Sequence, residues 1–80
     1  MTRVQIQKRQ IKYDQSHDIL HVYFHPEILS EDDERFPGIV IRKSLNDEQV
    51  TGLTIIDFSQ YDQETLNKLL PDYKFPDILH

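Results

Sequence analysis

Apolar residues along this chain fall into short blocks, and most of the blocks alternate with polar positions instead of recurring every three or four residues. RVQIQKRQIKY sets Val4 and Ile6 in alternation, loses the pattern in a polar gap, and resumes with Ile11 and Tyr13. It predicts a strand over roughly residues 3–13, weak in its middle. The basic residues Arg3, Lys8, Arg9 and Lys12 would blunt an open sheet edge there. DQSHD, Asp14 to Asp18, supplies turn formers that bond their own backbone. ILHVYF, Ile19 to Phe24, is rich in β-branched and aromatic residues and predicts a strand that Pro26 ends. The next segment is polar, with five acids between Glu27 and Glu34, and reads as a long connection closed by Pro37-Gly38. IVIRKS, Ile39 to Ser44, predicts a third strand, and VTGLTIIDFS, Val50 to Ser59, a fourth.

The period changes after Ser59. Asp62 is a natural helix cap, and Glu64 suits the positive end of the first turn. Tyr61 and Leu66 have the spacing of a hydrophobic staple. Leu66, Leu69 and Leu70 form an apolar stripe, and Pro71 stops the helix. The pattern therefore predicts an α+β fold in one small domain, residues 1–80. A four-stranded antiparallel meander over about 3–59 precedes one C-terminal helix over about 62–70 that packs on the sheet, and an apolar tail fills 71–80. The tail holds Phe75, Ile78 and Leu79 and is too apolar to be mere linker.

The fourth strand is apolar on both faces. Leu53 and Ile55 point one way; Thr54, Ile56 and Phe58 point the other. One helix covers one face of a sheet, so the second needs another cover. The tail or a second subunit could supply it. This pattern predicts an interface at Tyr23, Ile56, Phe58, Phe75 and Leu79, and a homodimer as the expected state.

Composition narrows the field. The chain has 80 residues, no cysteine and a net charge of −5. Disulfides and thiolate chemistry are excluded. The negative sign opposes a nucleic-acid binder, which gathers Lys and Arg on one face. Neither a signal peptide nor a membrane span is legible, and a cytoplasmic setting is expected. The acids Glu31, Asp32, Asp33 and Glu34 lack calcium-loop spacing and suit a solvated loop facing a small basic protein.

YDQSHDILHVYF and VTGLTIIDFS together resemble the domain-of-unknown-function family 2283, small bacterial and archaeal proteins. Tyr13, Asp14, Asp18, Leu20, Val22, Gly52, Leu53, Ile55, Ile56 and Ser59 carry the resemblance, which runs from about Lys12 to Leu70. Thr54 stands where that family tends to have Glu, and Phe58 and His17 where small residues are usual. The family has no established activity. The resemblance implies small sheet-plus-helix proteins, some encoded beside toxin-like partners.

Two functional readings follow. The favoured one is a non-enzymatic interaction module, homodimeric and of antitoxin type, with no cofactor. The alternative is a small metal-dependent or acid–base enzyme using Asp14, His17 and Asp18 in the first turn. His17, His21 and His25 recur every four residues. Along an extended strand that spacing spans about 13 Å. A metal with bonds of about 2 Å cannot hold two of them. Paired carboxylates can share acid–base work, yet Asp14 and Asp18 are also ordinary turn formers.

Overall fold

The computed structural model describes residues 4–76. Its strands are β1 (Val4–Gln5), β2 (Ile11–Asp14), β3 (Ile19–Tyr23), β4 (Ser30–Phe36), β5 (Ile39–Ser44), β6 (Val50–Ile56) and β7 (Tyr73–Lys74). One helix, α1, spans Gln63–Leu69. The fold is α+β, with a five-stranded antiparallel sheet in the order β2-β3-β6-β5-β4 and a two-residue parallel ribbon of β1 and β7.

The meander expectation is corrected twice. First, the acidic connection is a strand. β4 pairs with β5 so that Asp32 opposes Arg42 and Glu31 opposes Lys43. Arg42 Nε lies 3.1 Å from Asp32 Oδ1, and Lys43 Nζ 3.2 Å from Asp33 Oδ2. Opposite charges across neighbouring strands stabilise an edge that has no apolar alternation of its own. Second, β3 lies beside β6 and not beside β4. β4, β5 and β6 follow one another, and β3 closes on β6 in a Greek-key order. Residues 24–29 make the jump across the ends of β6 and β5. The amides of Phe24 and His25 both donate to Thr51 O at 3.0 Å, and Leu45 N–H to Leu29 O at 3.2 Å.

The first predicted strand is also broken. Gln7 N–H donates to Gln10 Oε1 at 2.8 Å, and Gln10 N–H to Gln7 O at 2.9 Å. The polar run therefore winds into a 3-10 turn, Lys8–Gln10, between β1 and β2. Arg3 lies outside the described residues, as do Ile78 and Leu79 of the tail.

Inner faces of the strands meet in register: Val22 opposes Leu53, Leu53 opposes Ile41, and Ile55 lies between Leu20 and Ile39. Ile6, Leu66, Leu70 and Phe75 close over them in one cluster. The helix stripe, the N-terminal segment and the tail thus cover the same face. Asp62 caps the helix as predicted, accepting Thr65 N–H at 2.7 Å; hydrogen bonding from the Thr65 side chain first, and then from this amide, holds the Asp62 carboxyl below its usual value. Every buried side-chain polar atom among the described residues has a hydrogen-bond partner. None of their helices is long and apolar enough to cross a membrane.

Phe58 and Phe75, expected at an interface, belong to the protomer's own core, with 8% and 1% exposure. The reason for Phe58 is local. β6 ends at Ile56, and Asp57 takes a left-handed conformation at φ 57°. That residue breaks the two-residue alternation and swings Phe58 inward. The tail reaches the core because β7 anchors it to β1: Val4 N–H donates to Asp72 O and Ile6 N–H to Lys74 O.

Candidate functional site

The motif residues gather where the β2–β3 turn meets the end of β6. Asp18 is left-handed, φ 54°, a conformation Asp tolerates better than most residues. The turn aims its carboxylate at the 3-10 turn Phe58–Gln60. Asp18 Oδ1 and Oδ2 accept the Ser59 amide at 3.0 and 3.2 Å. Ser59 Oγ donates to Oδ2 at 2.5 Å, and Tyr13 Oη to Oδ1 at 2.6 Å. Asp18 O accepts Phe58 N–H at 3.0 Å. The ring of Tyr13 rests 5.8 Å from that of Phe58. One carboxylate thus fastens the first hairpin to the start of the helical segment.

Electrostatics follow the bonds. Ser59, then Tyr13, hold the Asp18 carboxyl below its ordinary value, because both donate to the charged form. The same carboxylate raises the Tyr13 phenol. His17 Nδ1 stands 2.8 Å from Asp14 Oδ2, and that hydrogen bond is the main cause lowering the Asp14 carboxyl.

This arrangement is poor catalytic machinery. Ser59 Oγ donates to a carboxylate kept weakly basic, and His17 lies on Asp14, not on Ser59. Asp14 and His17 meet, but Asp18 turns away from them to Ser59 and Tyr13. Among the described residues no three His, Cys, Asp or Glu side chains gather as a metal site.

The depressed Asp18 carboxyl makes stability depend on acid. Its folded-state value lies below the unfolded 3.8. Its contribution is therefore present above 3.8 and is lost as pH falls through the folded-state value. Asp18→Asn keeps the left-handed backbone and removes the charge. Thermal melts should show a Tm several degrees lower near neutrality and a shallower fall below about pH 4. Parallel acid limbs in the two proteins would show that the clamp carries no such linkage.

The opposite face of the sheet is different in kind. Ile19, His21, Tyr23, Val40, Arg42, Thr54 and Ile56 occupy its central strands, and no described segment covers them. Ile56 is 38% exposed, and Tyr23 is half-buried. His21 and Tyr23 stack at 5.9 Å. They border a shallow groove of about 320 Å3 that reaches Arg42 and Asp32. Along β4, Glu31 and Glu34 make no ion pair among the described residues, whereas Asp32 and Asp33 are neutralised. The structure therefore brings Tyr23 and Ile56 onto one open surface, with Asp32 and Glu34 at its β4 rim, while Glu31 and Asp33 alternate to the covered side. The link from Asp18 to Ser59 escaped the sequence reading. Its one signal was that both residues carry the family resemblance.

Comparison with known proteins places the clamp's residues within one matched span. Residues 10–59, well over half of the chain, match the family model described as "Protein of unknown function (DUF2283)". That span holds Tyr13, Asp14, Asp18, Gly52 and Ser59 together. No curated protein and no solved structure matches the chain.

Proposed function

The chain belongs to this family of unknown function, and on that footing we propose that it is a non-enzymatic protein-interaction module. It works as a homodimer, and its open sheet face docks a small basic protein, as the antitoxin-like member of a pair would. One observation carries the reading. The motif cluster is spent on internal bonds, while the face bearing Tyr23, Val40 and Ile56 has no cover among the described residues.

Tyr23, Val40 and Ile56 share that face with His21, Thr54 and Arg42, and apolar side chains left uncovered among polar ones suit a docking surface. Charge gives the sign of the partner. The protein carries −5 overall, and Glu34, on the open-face side of β4, makes no ion pair among the described residues. A basic partner gains from that field, and an acidic one is repelled.

The test is capture on the tagged protein from a lysate of its source organism, with wild type beside Ile56→Lys. The exposed position tolerates the change, and an unaltered melt confirms the fold. A stoichiometric basic protein held by wild type and lost by Ile56→Lys is the expected result. Equal retention by both, or a clean wild-type bait, would overturn the open face as the docking surface.

A further inference from the structure

The five-stranded sheet has two edges, β2 and β4, and no described strand pairs with the outer side of either. The two edges differ in what they offer a second copy. Antiparallel pairing of like strands places the two-fold axis normal to the sheet. Covered faces then stay on one side, and only residues of the same face can oppose each other. Each register is therefore centred on one residue, which meets its own copy.

At β4 this arrangement fails. Any register centred on Glu31, Asp32, Asp33 or Glu34 sets a carboxylate against the same carboxylate. Like charges directly opposite destabilise a pair of strands. β4 is built to stay unpaired with itself.

At β2 the charges are polar along the chain. Lys8, Arg9 and Lys12 lie at its N-terminal end, and Asp14 and Asp18 at its C-terminal end. Antiparallel self-pairing sets each basic end beside an acidic end. Of the registers that keep most of β2 paired, centring on Lys12 sets lysine against lysine. Centring on Tyr13 sets Lys12 opposite the partner's Asp14, twice, on the open face. Lys12 makes no ion pair among the described residues, and Asp14, half-buried, still has free lone pairs beside its bonds to His17.

We propose that two copies of this chain join edge to edge through β2, with Tyr13 on the two-fold axis and Lys12 paired to the partner's Asp14. The result is one continuous sheet with both open faces on the same side and the two acidic β4 edges at its far ends. The proposal deepens the homodimer reading by naming its contact, and it leaves the open face free for a different partner.

The experiment uses the full chain. Its lack of cysteine makes single cysteines clean reporters. Opposed residues of antiparallel strands have Cβ atoms about 4.5–5.5 Å apart, close to disulfide reach. Light scattering should give twice 9.6 kDa for wild type. Under mild oxidation Tyr13→Cys should link into a covalent dimer, while Lys12→Cys and Asp14→Cys should not. Lys12→Glu should weaken self-association about tenfold or more with its melt unchanged. A link through Lys12→Cys instead of Tyr13→Cys would overturn the register. A dimer that ignores Lys12→Glu and forms no link through Tyr13→Cys would overturn the β2 contact and leave homodimerisation standing. A monomeric wild type would overturn both.

Discussion

Ile55→Ala is expected to remove about 2–5 kcal/mol of stability. Ile55 is fully buried and lies between Leu20 on β3 and Ile39 on β5. Truncating it opens a cavity at the middle of the sheet, where paired strands on both sides cannot collapse inward. A chain of 80 residues has a total stability of roughly 4–12 kcal/mol. The loss would leave much of the protein unfolded at moderate urea. The companion substitution is Ile56→Ala, one position along and on the open face. It should cost well under half as much, since Ile56 is already partly in water. Urea melts of the pair measure the contrast directly. Equal costs would mean that the assignment of inner and outer faces on β6 is wrong.

Gly52→Ala should come second, at about 1–3 kcal/mol, the usual range for overfilling a packed site. A Cβ at Gly52 would stand 2.7 Å from Val22 O, closer than real contacts allow. The clashing atom is backbone of β3, held by pairing on both sides, so it cannot swing aside. The nearby Arg42 side chain, at 3.8 Å, imposes no such limit. At roughly 4–8 °C per kcal/mol for a domain of this size, the fall in Tm is easily read by calorimetry. Thr54→Ser, two residues on, serves as the control with little change. A Gly52→Ala protein as stable as wild type would show that β3 and β6 have room to part.

Both predictions fall on β6, and that strand shows how far the sequence could be read. Its alternation, with Leu53 and Ile55 inward, was plain because a half-buried strand imposes a period of two. So were β3, β5 and the capped start of α1 at Asp62, where apolar blocks meet strong local signals. β4 was not legible, because its pattern is written in charge. Its partners Arg42 and Lys43 lie on the next strand, and a run of acids looks alike in a loop and on an edge. Phe58 was assigned to the wrong side because nothing in its neighbours announces the left-handed turn at Asp57. Gly52 was visible only as part of a resemblance, since its role depends on a carbonyl thirty positions upstream. The clamp was hidden for the same reason: Asp18 and Ser59 are 41 positions apart. Each looks like an ordinary turn residue until the fold brings them together.

The placement of β3 against β6 has a consequence for how the chain acquires its structure. During synthesis the β2–β3 hairpin emerges early, yet the neighbour that buries its inner face is the last strand of the sheet to appear. Until then Leu20 and Val22 have only Tyr13 and Ile11 beside them, and a lone two-stranded hairpin is at best marginal in water. β4 and β5 pair next without reaching β3. No stable fragment should therefore accumulate on the way, and the central pairing of β3 with β6, tied off by Asp18 and Ser59, has to close a long loop late. Folding should therefore be slow for so short a chain and close to all-or-none, with arrest anywhere before Val50 leaving nothing for a ribosome to release as a native-like product.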